Sequence, residues 1–149
     1  MLLTSPSFEE GGTIPKKFTC DGGNINPELI IQNVPEEARS LALIMHDPDA
    51  PADRFPGGFT HWVVWNIPPQ TMLIKQESIP AGSREGMNTR SAGYTGPCPP
   101  SGTHRYEFRL YALDITLDIQ ENSGKAELES FMEGHVLEEV KLTGLYSRA

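Results

Sequence analysis

The sequence predicts a mainly β, antiparallel protein with one helix, and three observations carry that prediction. Glycine and proline are abundant, 14 and 13 in 149 residues, which suits a chain of many turns and would break a helical bundle repeatedly. Tyr106, Phe108, Leu110 and Ala112 alternate with Glu107, Arg109 and Tyr111, the period of a strand with one wetter face. Helical spacing occurs in one place only, where Leu128, Phe131, Met132 and Val136 follow Asn122-Ser123.

The elements follow in order. Residues 7–18 are mixed, with Gly11-Gly12 as a turn, and Leu29 to Val34 reads as a short strand ending before Pro35. Ser40 to His46 is a nearly continuous apolar run, as expected of a strand buried on both faces. Phe59 to Ile67 is aromatic and β-branched and stops at Pro68-Pro69, which cannot continue a central strand. Residues 70–104 are broken by glycines and prolines, and a loop region of that length in a compact domain is usually functional. Ser123 is the expected N-cap of a helix over residues 124–138 that also contains His135. Val140, Leu142, Gly144 and Tyr146 alternate, so Glu139 to Ser147 is read as a closing strand. No repeat or linker interrupts the chain, and residues 1–149 are expected to form one domain.

The charge balance excludes some functions. A net charge of −8 repels nucleic acid and anionic bilayers at long range, so an anionic ligand must be captured by local groups. Met1 to Pro6 shows neither a basic leader nor a long apolar core, and no apolar stretch reaches membrane-spanning length; a soluble, cytoplasmic protein is expected. Cys20 and Cys98 both lie in loop-like contexts. One long-range bridge between them is conceivable, although free thiols are the expectation in a reducing cytosol.

Three clusters carry the chemistry: Asp47-Pro48-Asp49-Ala50-Pro51, Gly58-Phe59-Thr60-His61-Trp62, and Gly102-Thr103-His104-Arg105-Tyr106. Each adjoins a predicted strand, so the clusters can meet at one end of a sheet. Two histidines, the Tyr106 phenol and Asp47 can surround a phosphate or carboxylate oxygen, with Asp47 orienting one imidazole through a ring N–H. Amides near Gly96 and Gly102 could add donors. Arg105 is the obvious counter-ion for Asp49. Anion affinity is expected to rise as pH falls through the histidine range, because an imidazolium adds charge and a second donor. Signatures of serine hydrolases, zinc peptidases, nucleotide-binding loops and dinucleotide folds are missing. His46 reads as an exposed strand end and His135 as a helix residue.

At these three clusters, together with Gly96-Pro97-Cys98-Pro99-Pro100, the chain resembles the phosphatidylethanolamine-binding proteins and is similar to their short bacterial and archaeal branch. The resemblance implies a Greek-key β-sandwich of two antiparallel sheets with an anion pocket opening at the surface. It implies Asp47, His61, Gly96, His104 and Tyr106 as ligand-binding positions, with Asp49, Pro51 and Arg105 structural beside them and a cis Ala50–Pro51 bond. It further implies a ligand like the phosphorylethanolamine head group, modulation of a kinase or protease by direct contact, and a homodimer. The leading expectation is therefore a non-enzymatic binding protein that needs no cofactor or metal. The alternative is a metal-dependent or acid–base enzyme using His61, His104 and Asp47.

Overall fold

A computed structural model describes residues 1–148. Eight strands form two antiparallel sheets. The smaller sheet orders β1 (Leu2–Thr4), β2 (Leu29–Gln32) and β5 (Leu73–Ile74). The larger one runs β6 (Arg84–Glu85), β4 (Phe59–Ile67), β3 (Ser40–Asp47), β7 (Thr103–Leu113) and β8 (Val136–Ser147). Among the described residues there are also a single 3₁₀ turn, Lys16–Phe18, and one helix, α1 (Lys125–Met132). The two-sheet β architecture expected from the sequence is thus present.

β3 lies at the centre of the larger sheet, and its apolar run serves two cores at once. Leu41, Leu43 and Met45 point between the sheets, where they pack with Trp62, Val64, Phe108 and Leu110 beneath Leu29 and Ile31 of β2. Ala42 and Ile44 point the other way, into a second core with Val63, Trp65 and Leu113 that Leu117, Leu128 and Met132 cover. Burial on both faces is why this stretch shows no polar alternation.

Two irregularities interrupt the pairing of β3 with β4. Leu41 pairs with Ile67 but Leu43 pairs with Val64, and Met45 pairs with Trp62 but His46 pairs with Thr60. Each shift leaves one extra residue on β4. At the first, Asn66 takes a left-handed conformation (φ 55°), which asparagine tolerates better than most residues. Its side chain also exchanges two hydrogen bonds of 2.8 Å with the Leu117 backbone, pinning the segment that covers the second core. At the second shift the extra residue is His61, and a bulge re-aims the side chain it carries.

Several expectations require correction. Val136 opens β8 opposite Leu113 rather than extending the helix. The helix ends at Met132 because Gly134 adopts φ 83°, the left-handed turn that closes many helices. His135 consequently lies outside the helix, with its Nδ1 2.8 Å from Asp114 Oδ1. The helix N-cap is Gly124, whose N–H donates to Glu127 Oε1 at 3.1 Å, and not Ser123. β5 and β6 lie within the stretch read as irregular. Among the described residues every peptide bond is trans, Ala50–Pro51 included, which overturns the cis expectation. The chain reverses there by other means. Asp47 Oδ1 accepts the Asp49 N–H at 2.8 Å, and the Pro51 carbonyl accepts N–H bonds from Arg54 and Phe55. The ordinary trans preference of an X–Pro bond is then unopposed.

The two tryptophans test the difference between satisfied and orphaned buried donors. Trp62 Nε1 donates to Glu85 Oε2 at 2.7 Å, whereas Trp65 Nε1 is buried without a partner among the described residues. Both phenylalanine replacements remove similar volume, but only Trp62→Phe strips a carboxylate of its donor. Urea unfolding should show Trp62→Phe costing about 1–3 kcal/mol more than Trp65→Phe.

Candidate functional site

Antiparallel pairing brings the end of β3 against the beginnings of β4 and β7, so the three sequence clusters meet. Together with the loops around residues 18–24 and 94–100 they enclose a cavity of about 220 Å³. Asp47, His61, Gly96, His104 and Tyr106 all line it.

Asp47 is buried and gives both carboxylate oxygens to the protein. Oδ1 takes the Asp49 amide, and Oδ2 lies 2.7 Å from His104 Nδ1. The acceptor-only carboxylate fixes that nitrogen as N–H and leaves His104 Nε2 as the ring atom without a protein partner among the described residues. Asp49 is held apart from the cavity floor. Arg105 meets it through Nε and a terminal nitrogen at 2.9 and 2.8 Å, and through its backbone N–H at 2.9 Å. The Arg105 guanidinium holds the Asp49 carboxyl below its usual range.

His61 is oriented by a backbone group. Its Nδ1 lies 2.6 Å from the Thr95 carbonyl oxygen, so Nδ1 carries the proton and Nε2 the lone pair. Burial pushes its pKa down to about 4, against the opposing pull of the Thr95 carbonyl. His61 is therefore neutral through the usual histidine range, and the expected rise of affinity with imidazolium formation cannot come from this ring. Phe59 and Tyr106 pack against it, with ring centroids at 4.6 and 5.2 Å.

Tyr106 is fully buried, and its hydroxyl has no hydrogen-bond partner among the described residues. The Cys98 backbone approaches the phenol oxygen and pulls its pKa the other way, without reaching hydrogen-bond geometry. Burial, reinforced by Asp47 and Asp49, pushes the phenol far above its usual range. It stays protonated and remains a donor.

Gly96 plays a different part from the one expected. Its N–H already donates to Asn24 Oδ1 at 2.7 Å. A Cβ there would meet the Phe18 carbonyl oxygen at 2.2 Å, so glycine is needed to let two loops touch. The same contact zone corrects the expectation of free thiols. Cys20 N–H donates to the Pro97 carbonyl at 3.1 Å and Tyr94 Oη donates to the Phe18 carbonyl at 2.6 Å. With the loops held in this way, Cys20 and Cys98 sit with Cα atoms 5.5 Å apart and form a disulfide in the cavity wall. Composition addressed only the compartment; the backbone contacts decide the pairing.

His46, read as an exposed end, is half-buried and bonded to Thr60 Oγ1 and to the Gly57 carbonyl at 3.1 and 2.8 Å. Sequence reading missed Arg54 and Arg90, which also line the cavity. Each guanidinium sits over an aromatic ring, Arg54 over Phe55 at 5.3 Å and Arg90 over Phe59 at 5.7 Å. The adjacent Arg54-Phe55 pair was a usable signal; nothing in the sequence links Arg90 to Phe59. These two cations supply the local positive charge that the acidic chain otherwise lacks.

Comparison with known proteins now decides the family. The family model described as phosphatidylethanolamine-binding protein matches residues 4–147. The chain belongs to that family. A relative from Methanothermobacter thermautotrophicus, described as a UPF0098 protein, is 49% identical over 154 residues, covering 99% of both chains. The crystal structure of a phosphatidylethanolamine-binding protein homolog from Chlamydia trachomatis superposes with a TM-score of 0.95 at 40% identity, covering 99% of this chain and 97% of the other. Escherichia coli YbcL, described as a member of the mammalian family, gives 0.90 at 29% identity, with 99% and 98% covered. The resemblance drawn from the three clusters is therefore shown, and so is the family fold. No helix among the described residues is long and apolar enough to cross a membrane.

Two measurements follow from this geometry. An unfolded histidine titrates near its ordinary value of 6.5, whereas folded His61 resists protonation until about pH 4. Between those values the unfolded state binds the extra proton, so the stability due to His61 is complete above pH 6.5 and is lost as pH falls towards 4. Urea unfolding between pH 7 and pH 4 should show the parent losing about 3 kcal/mol more than His61→Gln. The disulfide joins residues 78 apart, and replacing both cysteines by serine should lower the unfolding free energy by about 2–4 kcal/mol.

Proposed function

We propose that this protein binds a small oxyanion, a phosphoryl or carboxyl group, in the cavity lined by Asp47, His61, Gly96, His104 and Tyr106, and does so as a binding protein and not as an enzyme. The observation that carries the reading is the Tyr106 hydroxyl. It is a buried, permanently protonated donor without a protein partner among the described residues, and such groups are costly unless something accepts from them. His61 and His104 flank the phenol ring on the same cavity wall. Arg54 and Arg90 provide capture, and Phe55, Phe59 and Pro99 offer apolar surface to whatever the oxyanion is attached to. The family's descriptive name, which refers to a phosphate-bearing lipid, supports phosphoryl chemistry in the ligand.

The His104–Asp47 pair is the one observation that favours acid–base catalysis. Against it, both Asp47 oxygens are already engaged, and the two cysteines of the lining are oxidised. No group of three His, Cys, Asp or Glu side chains is arranged to hold a metal ion among the described residues.

Tyr106→Phe separates binding from folding. Removing an orphaned hydroxyl should leave stability equal or slightly higher, while calorimetric titration should show phosphate affinity falling by roughly tenfold to a hundredfold, the worth of a hydrogen bond to a charged group. Unchanged affinity would overturn the proposed site.

A further inference from the structure

The lone pair of His61 restricts which oxyanions the cavity can hold. Nδ1 faces the Thr95 carbonyl, a pure acceptor, and must donate to it. Nε2 is then an acceptor, and no protein donor reaches it among the described residues. A hydrogen could be placed on Nε2 only by forming an imidazolium, and the surroundings oppose that. The charged and titratable groups around the ring are His46 and Asp47 from β3, His104 and Tyr106 from β7, and Arg54 and Arg90 from the loops. Arg90, His46 and His104 all resist a second proton on His61, in addition to its burial. Asp47 is the one carboxylate in the lining, and its oxygens are already committed to His104 and the Asp49 amide.

The cavity thus presents a permanent donor, the Tyr106 hydroxyl, and a permanent acceptor, His61 Nε2. A ligand that touches both must accept from one and donate to the other. Resting on the oxyanion reading above, we infer that the cavity selects the singly protonated phosphomonoester. Its P–OH donates to His61 Nε2 while its ionised oxygens accept from Tyr106. A carboxylate, a sulfate ester or a phosphodiester carries no hydrogen at neutral pH and would set an oxygen lone pair against the nitrogen lone pair. Charge works in the same direction, because a monoanion is repelled less than a dianion by buried Asp47 and by a chain of net charge −8. The doubly esterified phosphate of an intact phospholipid head group is disfavoured on this account, whereas a terminal phosphate, on a lipid or a soluble molecule, is accepted.

Three probes of equal charge isolate the hydrogen. At about pH 5, below the second phosphate pKa near 6, phenyl phosphate, phenyl sulfate and methyl phenyl phosphate are all monoanions, and only the first carries an O–H. The protonation state of His104 in the free protein is common to all three at fixed pH. Calorimetric titration of the disulfide-bonded protein should show phenyl phosphate binding at least about tenfold more tightly than the other two, the effect expected of an unpaired buried acceptor. That advantage should be lost or reversed by about pH 8, where the monoester is a dianion without an O–H. Nitrogen chemical shifts of the His61 ring should report a protonated Nδ1 and a bare Nε2, both free and with phenyl phosphate bound. Equal affinities at pH 5, or a doubly protonated ring in the complex, would overturn the proton requirement while leaving the oxyanion site standing. Binding of none of the three would bring down the site itself.

Discussion

The register of β3 between β4 and β7 is the constraint on which the rest depends. A strand buried on both faces cannot slip by one residue without sending Leu41, Leu43 and Met45 into the helix-covered core and Ala42 and Ile44 between the sheets. The register is therefore fixed by packing over the whole strand. That precision is delivered at its end, where Asp47 pairs with Phe59 and lies one step beyond the His46–Glu107 pair. Residues far apart in sequence become neighbours there because antiparallel pairing sets the finish of one strand beside the beginnings of two others. The apolar interior and the polar cavity are two ends of the same alignment.

Much of this arrangement was legible in the sequence because it follows from periodicity. The alternation of Tyr106 to Ala112 gave β7, the unbroken apolar run gave β3, and charged or aromatic residues at strand ends gave the cavity lining. What was not legible follows from contacts between segments distant in the chain. Neither a proline pair nor a cysteine count could show that the 18–24 loop would dock on residues 94–98, and the disulfide follows from that docking. The trans Ala50–Pro51 bond reflects a local turn completed by Asp47 Oδ1 and the Pro51 carbonyl. The helix was overextended because Val136 satisfies helical spacing, while a left-handed Gly134 and pairing with Leu113 prevail over spacing.

Electrostatically the site is nearly self-cancelling. Asp47 is buried with its oxygens committed to His104 and the Asp49 amide, Asp49 is offset by Arg105, and His61 and Tyr106 are held neutral by burial. The net positive charge sits at Arg54 and Arg90, each spread over an aromatic face. On the proposed reading, such a site attracts from its rim and discriminates at its floor, where fixed hydrogen-bond polarity and not net charge decides what fits.

The bulge at His61 makes the direction of that side chain a matter of counting. Strict alternation along β4 would place residue 61 with Val63 and Trp65, beneath the helix; the additional residue at that point turns the imidazole to the side of Tyr106 instead. A single-residue deletion between Phe59 and Trp62 could leave the strand paired and both cores filled, yet withdraw the ring from the cavity. In this fold, the proposed anion binding can thus be erased by a change of length that no comparison of residue types at His61 would reveal.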